Sequence, residues 1–105
     1  MLYTIPIKNN LLRANIEFIV TLTDVKYKIK LSYNYRTLGW FISLYDINSI
    51  PILTGHKIKN NIPLFYGINF TKKPVGELTF IDLTRSEPYP TFTGLGSQQV
   101  LTYED

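Results

Sequence analysis

Residues 16–33 alternate between apolar and polar side chains with a period of two. Ile16, Phe18, Val20 and Leu22 share one face of an extended segment. Val25, Tyr27, Ile29, Leu31 and Tyr33 share one face of a second, and Lys26, Lys28, Lys30 and Ser32 lie on the other. A helix turns once per ~3.6 residues and would scatter these positions around its surface, whereas a strand points successive side chains to opposite faces. The stretch therefore reads as two strands, each with one face for a core and one for solvent.

Their pairing follows from the same pattern. With Thr23-Asp24 as the loop, Leu22 faces Val25, Val20 faces Tyr27, Phe18 faces Ile29 and Ile16 faces Leu31. On the other face Thr21 meets Lys26 and Glu17 meets Lys30, an opposite-charge pair. A slip of one residue sets apolar against polar along the whole hairpin. Thr-Asp is a weaker two-residue turn than Asp-Gly or Asn-Gly, so a longer loop of the same parity also fits.

The next stretch, LSYNYRTLGWFISLYD at residues 31–46, holds a second hairpin. A loop at Arg36-Thr37-Leu38-Gly39, with Gly39 supplying positive φ, sets Tyr35 opposite Trp40, Tyr33 opposite Ile42 and Leu31 opposite Leu44. The inner face of this three-stranded unit carries Phe18, Ile29, Leu31, Tyr33, Trp40, Ile42 and Leu44. Its outer face carries the lysines together with Phe41 and Tyr45. Two large rings facing away from a core call for a second layer of the same domain or for a partner chain.

Further along, Asp46-Ile47-Asn48-Ser49 reads as a turn, and a short strand follows at about Ile50 to Leu53, which Pro51 places at a sheet edge or makes start late. Thr54-Gly55-His56 reads as a break before Lys57-Ile58-Lys59 resumes, and Asn60-Asn61-Ile62-Pro63 as a turn. Leu64–Ile68 fits a short strand or a turn of helix. Lys72–Gly76 is a further turn signal, Glu77–Leu83 a strand, and Gln99–Tyr103 the last strand. Residues 84–97, with Pro88, Pro90, Gly94 and Gly96, read as a long irregular loop of the kind that meets partners. The expected fold is all-β: residues 1–105 as a single domain, an antiparallel barrel or sandwich of about six to eight strands.

Composition narrows the chemistry. The chain is 45% hydrophobic and 18% charged, with eight tyrosines, which rules out a disordered tail and favours half-buried, interface-forming surface. The net charge of +3 is too small to define a nucleic-acid binder by itself. With no cysteine, disulfides, thiolate metal sites and thiol nucleophiles are excluded. The opening residues MLYTIPIKNN do not read as a signal peptide, no stretch approaches the ~20 apolar residues of a membrane span, and Asn69-Phe70-Thr71 reads as a chance sequon.

Catalytic constellations are equally sparse. His56 is the single histidine and reads as a loop residue, with a ligand or proton-transfer role as the alternative. The serines have no elbow motif beside them. Asp46 and Asp82 both fall at strand ends, where a turn role competes with a carboxylate pair acting on a glycan. Gly94 and Gly96 are not followed by a phosphate-binding GK[ST] sequence. Lys26, Lys28 and Lys30 beside Phe41 and Tyr45 sketch a single-strand nucleic-acid surface, against which stands a solvated lysine face with Glu17 already answering Lys30.

The order of motifs carries more. Tyr3-Thr4-Ile5-Pro6 opens the chain; the alternating strands follow; then come Leu31-Ser32-Tyr33-Asn34, Arg36 and Trp40-Phe41-Ile42-Ser43-Leu44-Tyr45-Asp46. Pro51–Gly55, Ile62–Phe65, Pro74–Leu78, Ile81-Asp82, Pro90, Leu95-Gly96 and Leu101-Thr102-Tyr103 complete the series. Over nearly its whole length the chain resembles the small baseplate plug proteins of contractile-tailed bacteriophages, the cyanophage-type plug family. The block from Tyr33 to Asp46 is the most specific part. Lys57, Lys59 and Lys72-Lys73 depart from the pattern and bear on any particular contact surface.

The resemblance implies a virion structural protein, not an enzyme, assembled in the host cytoplasm into the baseplate near the junction of tail tube, hub and spike. It implies no cofactor, no metal and no catalytic residue. The implied partners are other baseplate proteins (tube, hub, spike or wedge subunits) and copies of the chain in a symmetric ring, with no membrane and no nucleic-acid specificity. Tyr35, Arg36 and Trp40 would set the hairpin. The candidate subunit-interface residues are Arg36, Phe41, Tyr45, Tyr66 and Phe92. A single-stranded nucleic-acid-binding β-barrel is the alternative function.

Overall fold

The computed structural model describes residues 2–7, 14–65, 68, 70, 73–84, 88–92, 94–96 and 98–105. It contains β1 (Leu2–Ile5), β2 (Asn15–Leu22), β3 (Val25–Asn34), β4 (Gly39–Asp46), β5 (Pro51–Lys57), β6 (Glu77–Asp82) and β7 (Gln99–Glu104), and no helix among the described residues. A four-stranded sheet, β2-β3-β4-β5, faces a three-stranded one, β1-β7-β6, and every pairing is antiparallel. The sheets do not close into a barrel; the fold is sandwich-like. The predicted count of strands holds. β1 was not anticipated, because LYTI is too short to show a period and gains its register only from β7.

The first hairpin matches the alternation argument residue for residue, from Ile16↔Leu31 to Leu22↔Val25. Its loop is two residues, with Thr23 at φ 48° and Asp24 at φ 64°. Positive φ at both positions matches the right-handed twist of the strands. Non-glycine residues are held there by tertiary bonds: the Thr23 hydroxyl donates to Asp105 Oδ2 at 3.0 Å and lies 2.7 Å from the Tyr103 hydroxyl.

The second hairpin corrects the predicted register by two residues. Tyr33 lies opposite Trp40, Leu31 opposite Ile42 and Ile29 opposite Leu44, with Tyr35–Leu38 in the loop. Asn34 decides this: its Oδ1 accepts from the backbone N–H of Arg36 (2.8 Å) and of Thr37 (3.2 Å), starting the turn earlier. Leu38, at φ 53°, takes the left-handed conformation instead of Gly39. Gly39 opens β4, where a Cβ would come within 3.1 Å of Lys57 Cε. A shift of two preserves the faces, so the predicted inner residues still point inward: Ile29, Leu31, Trp40, Ile42 and Leu44 are fully buried, and Phe18 and Tyr33 pack against them.

β5 runs through the predicted break at Thr54-Gly55-His56, which is a bulge inside one strand. The register with β4 shifts there, and Gly55, at φ 67°, donates its N–H to Ser43 Oγ at 3.1 Å. Ile58 leaves the strand and is buried in the core, and its N–H bonds the Trp40 carbonyl at 2.9 Å. The chain then crosses to the other sheet and lies along β6: Asn61 N–H bonds Phe80 O (2.6 Å) and Leu64 N–H bonds Leu78 O (2.8 Å). The described part of 64–68 is a turn beginning at Leu64 and Phe65, both buried.

Leu78, Phe80, Leu101 and Tyr103 supply the core face of the three-stranded sheet. Each such side chain contributes ~1.5–3 kcal/mol through removal from water. Two polar ties cross the sandwich. At one end the Tyr103 hydroxyl accepts from Gly76 N–H (2.8 Å) and donates to Thr23, since the Thr23 hydrogen goes to Asp105. At the other, Trp40 Nε1 donates to the Thr91 carbonyl (3.0 Å), while Thr91 N–H and hydroxyl bond Gln99 Oε1 (3.1 and 3.2 Å). Gln99 Nε2 in turn donates to Asp82 Oδ1 at 3.1 Å.

Candidate subunit interface

The tip of the β3–β4 hairpin gathers aromatic rings from two distant parts of the chain. Tyr33 packs edge-on against Trp40 (5.3 Å between centroids) and against Phe92 (5.0 Å). Phe92 stacks on Trp40 at 6.0 Å and leans on Tyr35 at 5.9 Å; Tyr35 also meets Tyr33 at 5.2 Å. The Thr91–Gln99 bonds fix the backbone beside Phe92, so the irregular 88–92 segment is seated on the hairpin and not loose in solvent. Offset and edge-on ring pairs add ~0.5–1.5 kcal/mol each beyond their burial.

Beside this cluster lies an open groove of about 670 Å³. Ser32, Tyr33 and Asn34 from β3, Tyr35 and Arg36 from the turn, Phe41 from β4 and Gly55 from the β5 bulge line it. Tyr35 on its rim is 67% accessible, and Leu38, in the same turn, is 68% accessible. Arg36 is exposed at the same place. A rigid aromatic floor, exposed apolar tips and one guanidinium make up the composition in which contact hot spots concentrate.

The candidate residues named from sequence are thus partly brought together. Arg36 and Phe41 line one groove, and Phe92 holds up its Tyr33–Tyr35 wall. Tyr45 stands at the far end of β4, opposite Lys28 and Pro51, on the same outer face as Phe41. Tyr66 lies outside the described residues. The second sheet packs on the opposite face, so neither Phe41 nor Tyr45 is covered by it; both remain half-buried among neighbours of their own sheet. Leu38 was expected in the loop, but Tyr35 was expected on the strand opposite Trp40; Asn34, a turn initiator, was the signal that would have placed Tyr35 in the turn.

The other predicted chemistry resolves into structure. Asp46 Oδ1 accepts from the N–H groups of Asn48 and Ile50, both at 2.9 Å, and shapes the β4–β5 turn. Asp82 is 2% exposed and accepts from Thr84 Oγ1 at 2.7 Å and from Gln99. The two carboxylates lie on different sheets, each with its own turn. His56 sits on β5, half-buried, its ring 5.7 Å from that of Phe65. With Lys57, Lys59, Ile62, Pro63 and Leu64 it lines a second, smaller groove of about 330 Å³. Lys57 Nζ stands 4.6 Å from the Tyr89 ring centre, and Lys73 bonds the carbonyls of Phe65 and Ile68. No cluster of three metal-ligating side chains exists among the described residues.

On the outer face the lysine row is partly neutralised. Lys28 lies 3.6 Å from Glu17 and donates to Ser49 Oγ at 2.7 Å. Lys30 is opposite Glu17 in the register, as expected. Ionisation is perturbed among the tyrosines facing the second sheet: burial first, and the neighbouring Tyr103 second, push the Tyr27 hydroxyl above its ordinary value.

A family model described as cyanophage baseplate Pam3 plug gp18 matches residues 2–105. No curated protein matches the chain.

Proposed function

Since the chain belongs to the cyanophage baseplate plug family, we propose that it is a plug or ring subunit near the junction of tail tube, hub and spike, acting through protein–protein contacts. The family itself carries a baseplate structural role. The observation that supports a contact mechanism for this chain is the hairpin tip, where exposed Tyr35, Leu38 and Arg36 stand beside the packed rings of Tyr33, Trp40 and Phe92. Such a tip needs little ordering on binding, so its apolar area converts to affinity with a small entropic loss. Phe41 extends the surface into the groove, and Tyr45 continues it along the outer face. Neighbouring tube, hub, spike or wedge subunits would fill the groove, and further copies would complete a ring. Assembly takes place in the host cytoplasm, and the contacts hold the baseplate closed until the tail contracts.

The test is incorporation. A Tyr35→Ala/Leu38→Ser double variant removes two exposed tips together with the ring contacts of Tyr35 to Tyr33 and Phe92, so it should lose about 1–3 kcal/mol of thermal stability and remain folded. It should fall out of purified tailed particles, or enter them at a small fraction of the normal level. Normal incorporation of a folded double variant would contradict a contact role for this groove.

A further inference from the structure

The four sheet edges differ in how they are protected. β6 is covered by the 60–64 segment, which bonds Phe80 O and Leu78 O. β5 begins at Pro51 and is interrupted by the Gly55 bulge. β1 is four residues long. β2 is eight residues, NIEFIVTL, paired with β3 in unbroken register, with no proline, no lysine and no bulge. Soluble proteins blunt open edges with those devices, and among the described residues β2 shows none of them apart from Glu17. Its core-facing Ile16, Phe18 and Val20 are half-buried where Ile29 and Leu31 beside them are fully buried, because four strands overhang three. Ile19 on its other face is 57% exposed.

The hydrogen-bond parity of the edge is fixed. Tyr33 N–H bonds Ala14 O at 2.8 Å, so the even-numbered residues of β2 turn their backbone groups to β3. Asn15, Glu17, Ile19 and Thr21 turn theirs outward. We propose that β2 pairs antiparallel with β2 of a second copy about a two-fold axis at Ile19, joining two four-stranded sheets into one.

The register selects this partner. A two-fold axis normal to the sheet keeps both core faces on one side, so odd residues meet odd and even meet even. An axis at Glu17 opposes two carboxylates, and an axis at Phe18 sets Glu17 against Ile19. An axis at Ile19 sets Ile19 against itself, Phe18 against Val20, Ile16 against Leu22 and Glu17 against Thr21. The outward backbone groups of Glu17, Ile19 and Thr21 then all find partners. Charge is complementary as well. Glu17 has Lys30 beside it on its own β3, and Thr21 has Lys26 beside it. In the pair, Lys26 of the second copy therefore lies just beyond Thr21, two strand spacings of ~4.8 Å from Glu17 and within reach of two extended side chains. Each edge carboxylate sits between lysines of both copies. The contact is separate from the hairpin groove and does not depend on the baseplate reading.

The chain has no cysteine, which permits a register-specific test on the full protein. Ile19→Cys places two thiols at directly opposed positions with Cα atoms ~5.5 Å apart, inside the disulfide range. Thr21→Cys places them four residues apart along the strand, ~13 Å, outside that range. Under mild oxidation Ile19→Cys should form a covalent dimer at least ~10-fold faster than Thr21→Cys. By sedimentation, wild type should be a dimer and Ile19→Lys, which opposes two ammonium groups at the axis, a monomer with an unchanged circular-dichroism spectrum. Equal cross-linking of the two cysteine variants, a wild type that sediments as a monomer when concentrated, or a dimer that survives Ile19→Lys would each overturn the proposal. A β2 edge reserved for another protein's strand would give the monomeric result.

Discussion

Gln99 connects more of the molecule than its ordinary polar character announces. Fully buried on β7, it gives Nε2 to Asp82 and takes both Thr91 donors on Oε1. Through Thr91 it reaches Trp40 of the other sheet. Gln99→Leu keeps the volume and leaves these donors and a buried carboxylate short of a partner. It should cost ~1–3 kcal/mol in urea denaturation, with Trp40 fluorescence or NMR shifts moving in step. Tyr27 contributes to the alkaline limit. Its hydroxyl is held neutral by burial, then by Tyr103, so its folded pKa lies above the unfolded value near 10. Above that value the unfolded chain releases the proton more readily than the folded one, so stability falls as pH rises. The fold should be fully stable on this account below about pH 10 and weaken as pH climbs toward the folded pKa. Tyr27→Phe should flatten that alkaline limb; an unchanged limb would place its origin elsewhere.

The hairpins show which structural information is local in the chain. Strict alternation from Ile16 to Tyr33 was enough to derive the β2–β3 register, because a one-residue slip inverts every side chain. The β3–β4 register was misplaced by two residues, a slip that inverts nothing, so alternation could not detect it; the deciding bonds from Asn34 are turn chemistry. β1 and the covering of β6 by residues 60–64 were illegible because both are defined by long-range partners. In the same way, Phe92 was legible as a candidate ring but not as the floor of a groove formed with Tyr33 and Trp40. Two changes test these elements. Asp24→Gly relieves positive φ in the first turn and should stabilise by about 1 kcal/mol in thermal melts. Phe92→Ala removes the ring that joins the 88–92 segment to the hairpin and should cost ~1–3 kcal/mol while increasing hydrogen exchange at the Trp40 indole.

The whole sandwich reads as a rigid carrier of contact surface. Ties at both ends, through Tyr103 and through Gln99, lock one sheet to the other, and of the side chains that looked catalytic Asp46 shapes a turn and Asp82 lies inside one of those ties. The surfaces proposed for partners are the aromatic hairpin tip, the outer face with Phe41 and Tyr45, and the β2 edge. That division of labour fits a member of a baseplate plug family. The most direct measurement is cross-linking mass spectrometry on purified tailed particles with a lysine-reactive reagent. Lys26, Lys28 and Lys30 mark the outer face, and Lys57 marks the β5 side. The account predicts that the chain is a stoichiometric component of washed particles, with cross-links from these lysines to tube, hub or spike proteins. Its absence from washed particles, or its presence without any cross-link to another baseplate protein, would contradict the structural role.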